Sequence, residues 1–351
     1  MIMGLLLVWL SAATVSAVGS VPPAAPPSQA PAVAPVQEGG ALARGSISQW
    51  PSPLHSKGNR ILNARAEVVR PKGLMIADPA KVAGQGRFTR ALFESMRATG
   101  ANVIRIPVHP QHWTNDPDYL SRYLEPAVRW SGDLGMYVIL DWHSIGNVLS
   151  GYAPQVPELF CHTDAMTTDF WERVAAHFKD APHVIFEIFN EPQNISAADW
   201  RRCANRLVKL IRSRQAVQLI IVGGLEYGRE LDWVLREPVT GENVAYASHI
   251  FPSHPQSGWD RDFGNVAARY PVVITEWGFI DKKQKANPSD TYLCGDARTY
   301  GQPLMSYLAQ RGVGWVACWF DDEWQPAMLL PGGHGHTPWG EFATLELKRT
   351  Q

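Results

Sequence analysis

Val184-Ile185-Phe186-Glu187-Ile188-Phe189-Asn190-Glu191-Pro192 and Val272-Val273-Ile274-Thr275-Glu276-Trp277-Gly278 decide how this chain is read. In each, an apolar run ends in a glutamate and then gives way to Pro or Gly. Near-continuous apolar runs are expected of parallel strands covered on both faces. A glutamate at the far end of such a strand lies where a (β/α)8 barrel keeps its reactive groups. Two carboxylates facing one bond suit glycoside hydrolysis, one as acid and the other as nucleophile or base. Two unrelated strand-end glutamates in surface ion pairs would leave the same local pattern, so the rest of the chain must decide.

Working outward, strand-like and helix-like segments alternate. Strands are expected at 67–70, 102–106, 136–141, 183–189, 218–222, 244–250, 271–276 and 313–319. Helical patterns fall at 87–99, 118–133, 166–179, 197–214, 226–235, 258–269 and 296–310. Ser196 is placed to cap the helix that follows it, with Asp199 in the first turn. A small hairpin around Lys57-Gly58-Asn59 precedes the first strand. Eight strands alternating with helices predict an α/β fold, a (β/α)8 TIM barrel with a single catalytic domain over 46–351. An open doubly wound sheet would bring a glycine-rich phosphate turn after an early strand, and the sequence has none.

With the strands counted, polar and aromatic residues gather at one rim. Arg105 ends the second strand, His143 follows the third, and Asn190 and Glu191 end the fourth. His249 ends the sixth, Glu276 the seventh and Trp319 the eighth. Singly, each has a plain structural reading, as an ion-pair partner, a satisfied core histidine or a packing residue. Their joint placement does not. Glu187 keeps the strand parity of Glu191 but sits deeper, where a buried carboxylate needs a partner such as Arg105. It is expected to support the site rather than react.

Composition sets the outer limits. The 351 residues suffice for one barrel of ~250 residues with extensions. Acidic and basic residues number 33 and 32 and no basic tract stands out, which argues against nucleic acid as a partner. The 14 tryptophans lean toward sugar, because indole faces stack on pyranose rings. Residues 1–17 read as a signal peptide with cleavage near Ala17, although no Lys or Arg precedes the apolar core. Residues 18–45 read as a Pro/Ala-rich linker. The expected location is therefore secreted or periplasmic, with no membrane attachment after the signal is removed.

Cys161, Cys203, Cys294 and Cys318 show no CxxC spacing, which speaks against a structural zinc site. Two readings stay open: a Cys161–Cys203 bridge between neighbouring elements, or four free thiols, two of them buried. His109 and His112 lie in the loop after the second strand and would need a third ligand to hold a metal, and none is evident. Sugar contacts or plain loop roles are expected of them, and no metal or cofactor is expected. Asn194-Ile195-Ser196 matches a glycosylation sequon, but a glycan beside Glu191 would obstruct the cleft.

The segment Asn190-Glu191-Pro192 after an apolar strand, with Arg105, His143, His249, Glu276 and Trp319 in that order, resembles glycoside hydrolase family 5, the cellulase family, over roughly residues 50–348. Asp321-Asp322-Glu323-Trp324-Gln325-Pro326 and Thr337-Pro338-Trp339-Gly340 resemble its bacterial members. The resemblance implies that Glu191 is the acid/base and Glu276 the nucleophile of a retaining mechanism. It implies a β-linked polysaccharide or oligosaccharide substrate, with Arg105, His143, Asn190, His249 and Trp319 supporting it. The reading is a monomeric endo-β-1,4-glucanase. A β-mannanase or another β-glycan hydrolase on the same barrel is the alternative, and a non-catalytic carbohydrate-binding barrel the alternative from a different class. Trp113, Trp142, Tyr152, Trp259, Trp277 and Trp324 are candidate subsite platforms. One position departs from the family pattern. Phe251 stands where the family usually has a tyrosine near the nucleophile, so slower turnover of the covalent intermediate is expected, unless another hydroxyl such as that of Tyr246 serves.

Overall fold

The computed structural model describes residues 49–153, 156–281, 283 and 287–349. The expected signal peptide (1–17) and linker (18–45) lie outside the described residues. Eight strands close into a parallel barrel: β1 (Lys72–Met75), β2 (Val103–Val108), β3 (Tyr137–Trp142), β4 (Val184–Glu187), β5 (Ile220–Gly223), β6 (Val244–Ile250), β7 (Val272–Trp277) and β8 (Gly314–Ala317). Each pairs with its neighbours in sequence, and β8 returns to β1. The longer helices on the outside are α1 (Arg90–Ala98), α2 (Glu125–Asp133), α3 (Asp164–Phe178), α4 (Ala197–Ser213), α5 (Gln302–Arg311) and α6 (Pro338–Lys348). Ser196 caps α4, its side chain accepting from Asp199 N–H at 3.1 Å. Among the described residues no helix is long and apolar enough to cross a membrane.

Strand parity divides the core in two. Val103, Ile139, Ile185, Ile221, Ala245, Ala247, Val273 and Val316 fill the barrel interior as one cluster. Their neighbours Ile104, Val138, Phe186, Val222, Tyr246 and Ile274 point outward and join the shell beneath the helices. Arg105 and Glu187 share the inward parity of Val103 and Ile185, so both project into the barrel. A bulge alters β7. Ser248 pairs with Ile274 but His249 with Glu276, which leaves Thr275 as an extra residue. The extra residue lets Thr275 and Glu276 both serve the interior, although they are adjacent.

Two expectations need correction. The first barrel strand is 72–75 rather than 67–70. Val68 is exposed and only bridges Leu62, extending the hairpin formed by His55–Lys57 and Arg60–Leu62. Within β1, Gly73 is required, because a Cβ there would stand 1.8 Å from the Val103 carbonyl. The segment 226–235 is helical only as a short 3-10 turn at Asp232–Leu235, because Glu226, Tyr227 and Gly228 all have positive φ. Of the two readings left open for the cysteines, the structure has the four free thiols, with Cys203 and Cys318 buried and no bridge between Cys161 and Cys203.

Candidate active site

Arg105 organises the mouth of the barrel. Its guanidinium is wholly buried and donates to Glu187 Oε2 at 2.6 Å, Glu276 Oε1 at 2.7 Å and Asn190 Oδ1 at 2.8 Å. Asp141 Oδ2 lies 3.0 Å from Nη2 and also meets His143 Nδ1 at 2.6 Å. β2 runs on to Val108, so Arg105 is mid-strand rather than terminal, and the site sits correspondingly deep. Burial holds the Asp141 carboxyl well above its usual range, Arg105 opposing and the charges of Glu187 and Glu276 adding to it.

Glu191 stands just past β4, where Glu191–Pro192 pairs with Ile145–Gly146 in a two-residue parallel extension of the rim. Its Oε1 is 2.9 Å from His249 Nδ1, and Glu276 Oε2 is 3.7 Å from the same nitrogen. Facing oxygens of the two carboxyls and the ring nitrogen all lie within 4.8 Å of one another. Burial pushes the Glu191 carboxyl up to about 8, Arg105 opposing and Glu187 assisting. Glu276 is also raised by burial, against His249 and Arg105. Its 2.7 Å charge-assisted bond to Arg105 nevertheless favours the ionised form.

His249 completes the group. Its Nε2 meets Thr275 Oγ1 at 3.1 Å, and Thr275 donates to Glu187 Oε1 at 2.8 Å. Gly228 lies against the ring, where a Cβ would come within 2.7 Å of Nδ1. Trp319 is nearly buried and follows a cis peptide bond from Cys318. Its ring meets Trp324 edge-on at 5.1 Å and His143 at 5.6 Å. Lys81 Nζ lies 5.3 Å above the Trp324 ring while pairing with Asp321 and Glu323.

The candidate platforms separate by burial. Trp142, Trp259 and Trp277 are core residues with at most 2% exposure, and Trp113 has 5%. Trp142 stacks on Phe170, Trp113 packs edge-on to the same ring, Trp259 meets Tyr307, and Trp277 meets Trp315 and Trp339. None of the four can present a face to a sugar. Trp324 and Tyr152 remain accessible.

Sequence reasoning missed Asp78, Asp141, Thr275 and Tyr292. Asp78 is the third partner that His109 and His112 had seemed to lack. It accepts from Ala80 N–H, His109 N–H, His109 Nδ1 and Tyr119 Oη, and lies 2.8 Å from His112 Nδ1. Both oxygens are thus taken up by donors, and the trio is an anchor for the loop after β2 rather than an open ligand set. Burial alone would raise the Asp78 carboxyl, but hydrogen bonds from His109 and His112 hold it far below its usual range. The Tyr246 hydroxyl accepts from Val239 N–H on the outer face, away from the barrel interior that holds Glu276. Tyr292 packs edge-on against Phe251 at 5.6 Å, and its phenol is raised by burial and by the charges of Glu191 and Glu276.

Known proteins point the same way. An endoglucanase of Clostridium saccharobutylicum is 26% identical over 243 residues, covering 68% of this chain and 50% of that protein. Endoglucanase A of Butyrivibrio fibrisolvens is 29% identical over 204 residues, covering 55% of this chain and 45% of that protein. The chain spans about half the length of these curated relatives. Among solved structures, the native β-glucanase SdGluc5_26A of Saccharophagus degradans superposes with a TM-score of 0.83 at 28% identity, covering 90% of this chain and 98% of that one. The same β-glucanase in complex with cellotetraose gives 0.82. The sequence signature described as cellulase (glycosyl hydrolase family 5) matches residues 72–322, well over half of the chain. With that match laid over a closed eight-stranded barrel, the chain belongs to the cellulase family, glycosyl hydrolase family 5.

Proposed function

We propose that the protein is a retaining endo-β-1,4-glucanase in which Glu276 attacks the anomeric carbon and Glu191 protonates the leaving oxygen. The spacing of the two carboxyls carries this reading. Their facing oxygens lie within 4.8 Å of each other, well short of the ~6.5–9.5 Å that leaves room for the intervening water of an inverting enzyme. The electrostatics support the division of labour. Glu191, pushed up to about 8, holds a proton at neutral pH. Glu276 is bonded to Arg105 and is the better nucleophile. Once Glu191 has given its proton to the departing sugar, it takes one from the water that opens the glycosyl–Glu276 bond.

Asn190 spends its amide oxygen on Arg105, which leaves its NH2 to donate to the sugar 2-hydroxyl. Trp319 forms the floor beneath the sugar being cleaved, and His143, held by Asp141, binds a hydroxyl beside it. The cellotetraose complex of the Saccharophagus degradans β-glucanase supports a β-glucan oligosaccharide as the substrate class. Export to the periplasm or medium by the signal at 1–17, a linker at 18–45, and action as a monomer belong to the same proposal.

Reducing-end release from carboxymethyl cellulose, glucomannan and xylan, with Glu276→Ala as control, tests it. The expected order puts carboxymethyl cellulose first, with the β-anomer as the initial product by NMR. Preference for glucomannan would transfer the reading to a mannanase. A folded protein that binds glucan without cleaving it would make the barrel a binding module.

A further inference from the structure

Glu187 and Thr275 lie beneath the reacting pair, yet hydrogen bonds run unbroken from Glu187 to Glu191. Glu187 Oε1 is 2.8 Å from Thr275 Oγ1, which is 3.1 Å from His249 Nε2. On the other edge of the same ring, Nδ1 is 2.9 Å from Glu191 Oε1. The direction of each hydrogen follows from its neighbours. Arg105 Nε holds the second oxygen of Glu187 at 2.6 Å, so Glu187 is a paired carboxylate with no hydrogen to give. Thr275 must supply the hydrogen of that contact. A hydroxyl has only one, so toward His249 its oxygen accepts. The ring therefore carries its hydrogen on Nε2. Burial keeps the imidazole neutral, Arg105 assisting and Glu276 opposing, so Nδ1 presents a lone pair. Two acceptors do not share a 2.9 Å contact, and the hydrogen between them belongs to Glu191.

We propose that Glu187, acting through Thr275, fixes His249 as its Nε2–H tautomer, and that the bare Nδ1 then holds Glu191 in its protonated, acid form. This rests on the glycosidase reading above and makes Glu187 and Thr275 positioning residues. The charged or titratable groups Arg105, Glu276, Glu187, Asp141, His143, His254 and Tyr292 also face the ring or Glu191. Of these, Glu276 is 3.7 Å from Nδ1, too far to hydrogen-bond it. After Glu191 has lost its proton, its carboxylate faces the same lone pair. That contact favours taking a proton back from the attacking water, so one tautomer serves both steps.

Two-bond nitrogen–proton NMR of the whole chain labelled with 15N-histidine reads the tautomer directly, with the His249 signals assigned by their loss in His249→Gln. The wild type and Thr275→Ser are expected to show a protonated Nε2 and a bare Nδ1. Thr275→Val should lose that preference. In the same variant the basic limb of kcat/KM on cellooligosaccharides should move down by about one pH unit, one unit being 1.36 kcal/mol of differential interaction. Cleavage of a dinitrophenyl β-cellobioside, whose leaving group needs no proton, should change little. A wild-type ring protonated on Nδ1 overturns the proposal, as does a Thr275→Val profile that coincides with the wild type. Should Thr275→Val fail to fold, the wild-type and Thr275→Ser spectra still decide. The tautomer is read without substrate, so absence of hydrolysis on any β-glycan would sink the glycosidase reading separately.

Discussion

Arg105 Nη1 lies 2.7 Å from Glu276 Oε1, and the same buried guanidinium reaches Glu187, Asp141 and Asn190 through its other nitrogens. A lysine offers one compact ammonium in place of this planar fork and cannot span those partners. Arg105→Lys is therefore expected to lower kcat/KM on the order of a hundredfold, as loss of a key electrostatic contact does. It should also destabilise the fold by about 3–5 kcal/mol, the usual cost of leaving buried charges unpaired. With the guanidinium's bond to it lost, the Glu276 carboxyl should rise further, so the acidic limb of the pH profile moves to higher pH. Kinetics across pH and denaturant unfolding of the same variant check both halves. A loss of stability with an unmoved acidic limb would leave Arg105 a purely structural residue.

Glu191 makes stability depend on pH. Its carboxyl is pushed from its ordinary value of 4.5 to about 8, so the folded state binds more protons than the unfolded state between those values. Stability contributed by this group is full below about pH 4.5 and is lost as pH rises through 8. Glu191→Gln removes the ionisation while keeping the shape. The variant should be more stable than the wild type at pH 8, by a few kcal/mol at most, and nearly equal to it at pH 5. Thermal melts at the two pH values read this directly. Equal differences at both would mean that Glu191 titrates normally.

Gly228 and Gly86 separate strain from crowding. Both have positive φ, +75° and +68°, but a Cβ on Gly86 meets nothing within 4 Å, whereas one on Gly228 comes within 2.7 Å of His249 Nδ1. Alanine at either position should cost about 1–3 kcal/mol of backbone strain. Only Gly228→Ala should also displace the imidazole from Glu191, with kcat falling at least tenfold, as for partial loss of acid–base assistance. Parallel loss of activity in Gly86→Ala would show that the effect comes from stability alone.

The barrel was legible wherever a strand is a run of β-branched and aliphatic residues, as at 220–222 and 272–275, because burial on both faces leaves little choice of residue. It was not legible at β1, where Gly73 breaks the run for the sake of a close approach to Val103. The rim residues could be placed by counting strands, and Glu187 by parity. Thr275 could not, since a bulge cancels the parity argument and leaves no mark in composition. Asp78 meets His109 and His112 only through the closure of β1 against β2, across 31 and 34 positions of chain.

Strand parity also carried an unused signal about the tryptophans. In β3, Tyr137, Ile139 and Asp141 face the barrel, so Trp142 falls on the helix side with Val138 and Leu140. There it stacks on Phe170 and donates to Thr167 at 3.0 Å. Trp142→Ala is expected to destabilise the protein by about 3–5 kcal/mol, the range for a buried indole replaced by a cavity. Any activity that survives should show an unchanged KM. Trp324 is the opposite case. It stands partly exposed beside Trp319, with the Lys81 ammonium over its ring. Trp324→Ala should leave unfolding close to the wild type and raise KM on longer cellooligosaccharides by roughly tenfold, since a lost stacking contact of about 1–1.5 kcal/mol corresponds to that factor. Because the indole's ring contacts are with His109, Trp319 and Lys81 rather than with Glu191 or Glu276, kcat should hold. Comparing cellotriose with cellopentaose in both variants tests the assignment. A KM change that is the same for every chain length would remove Trp324 from the substrate path.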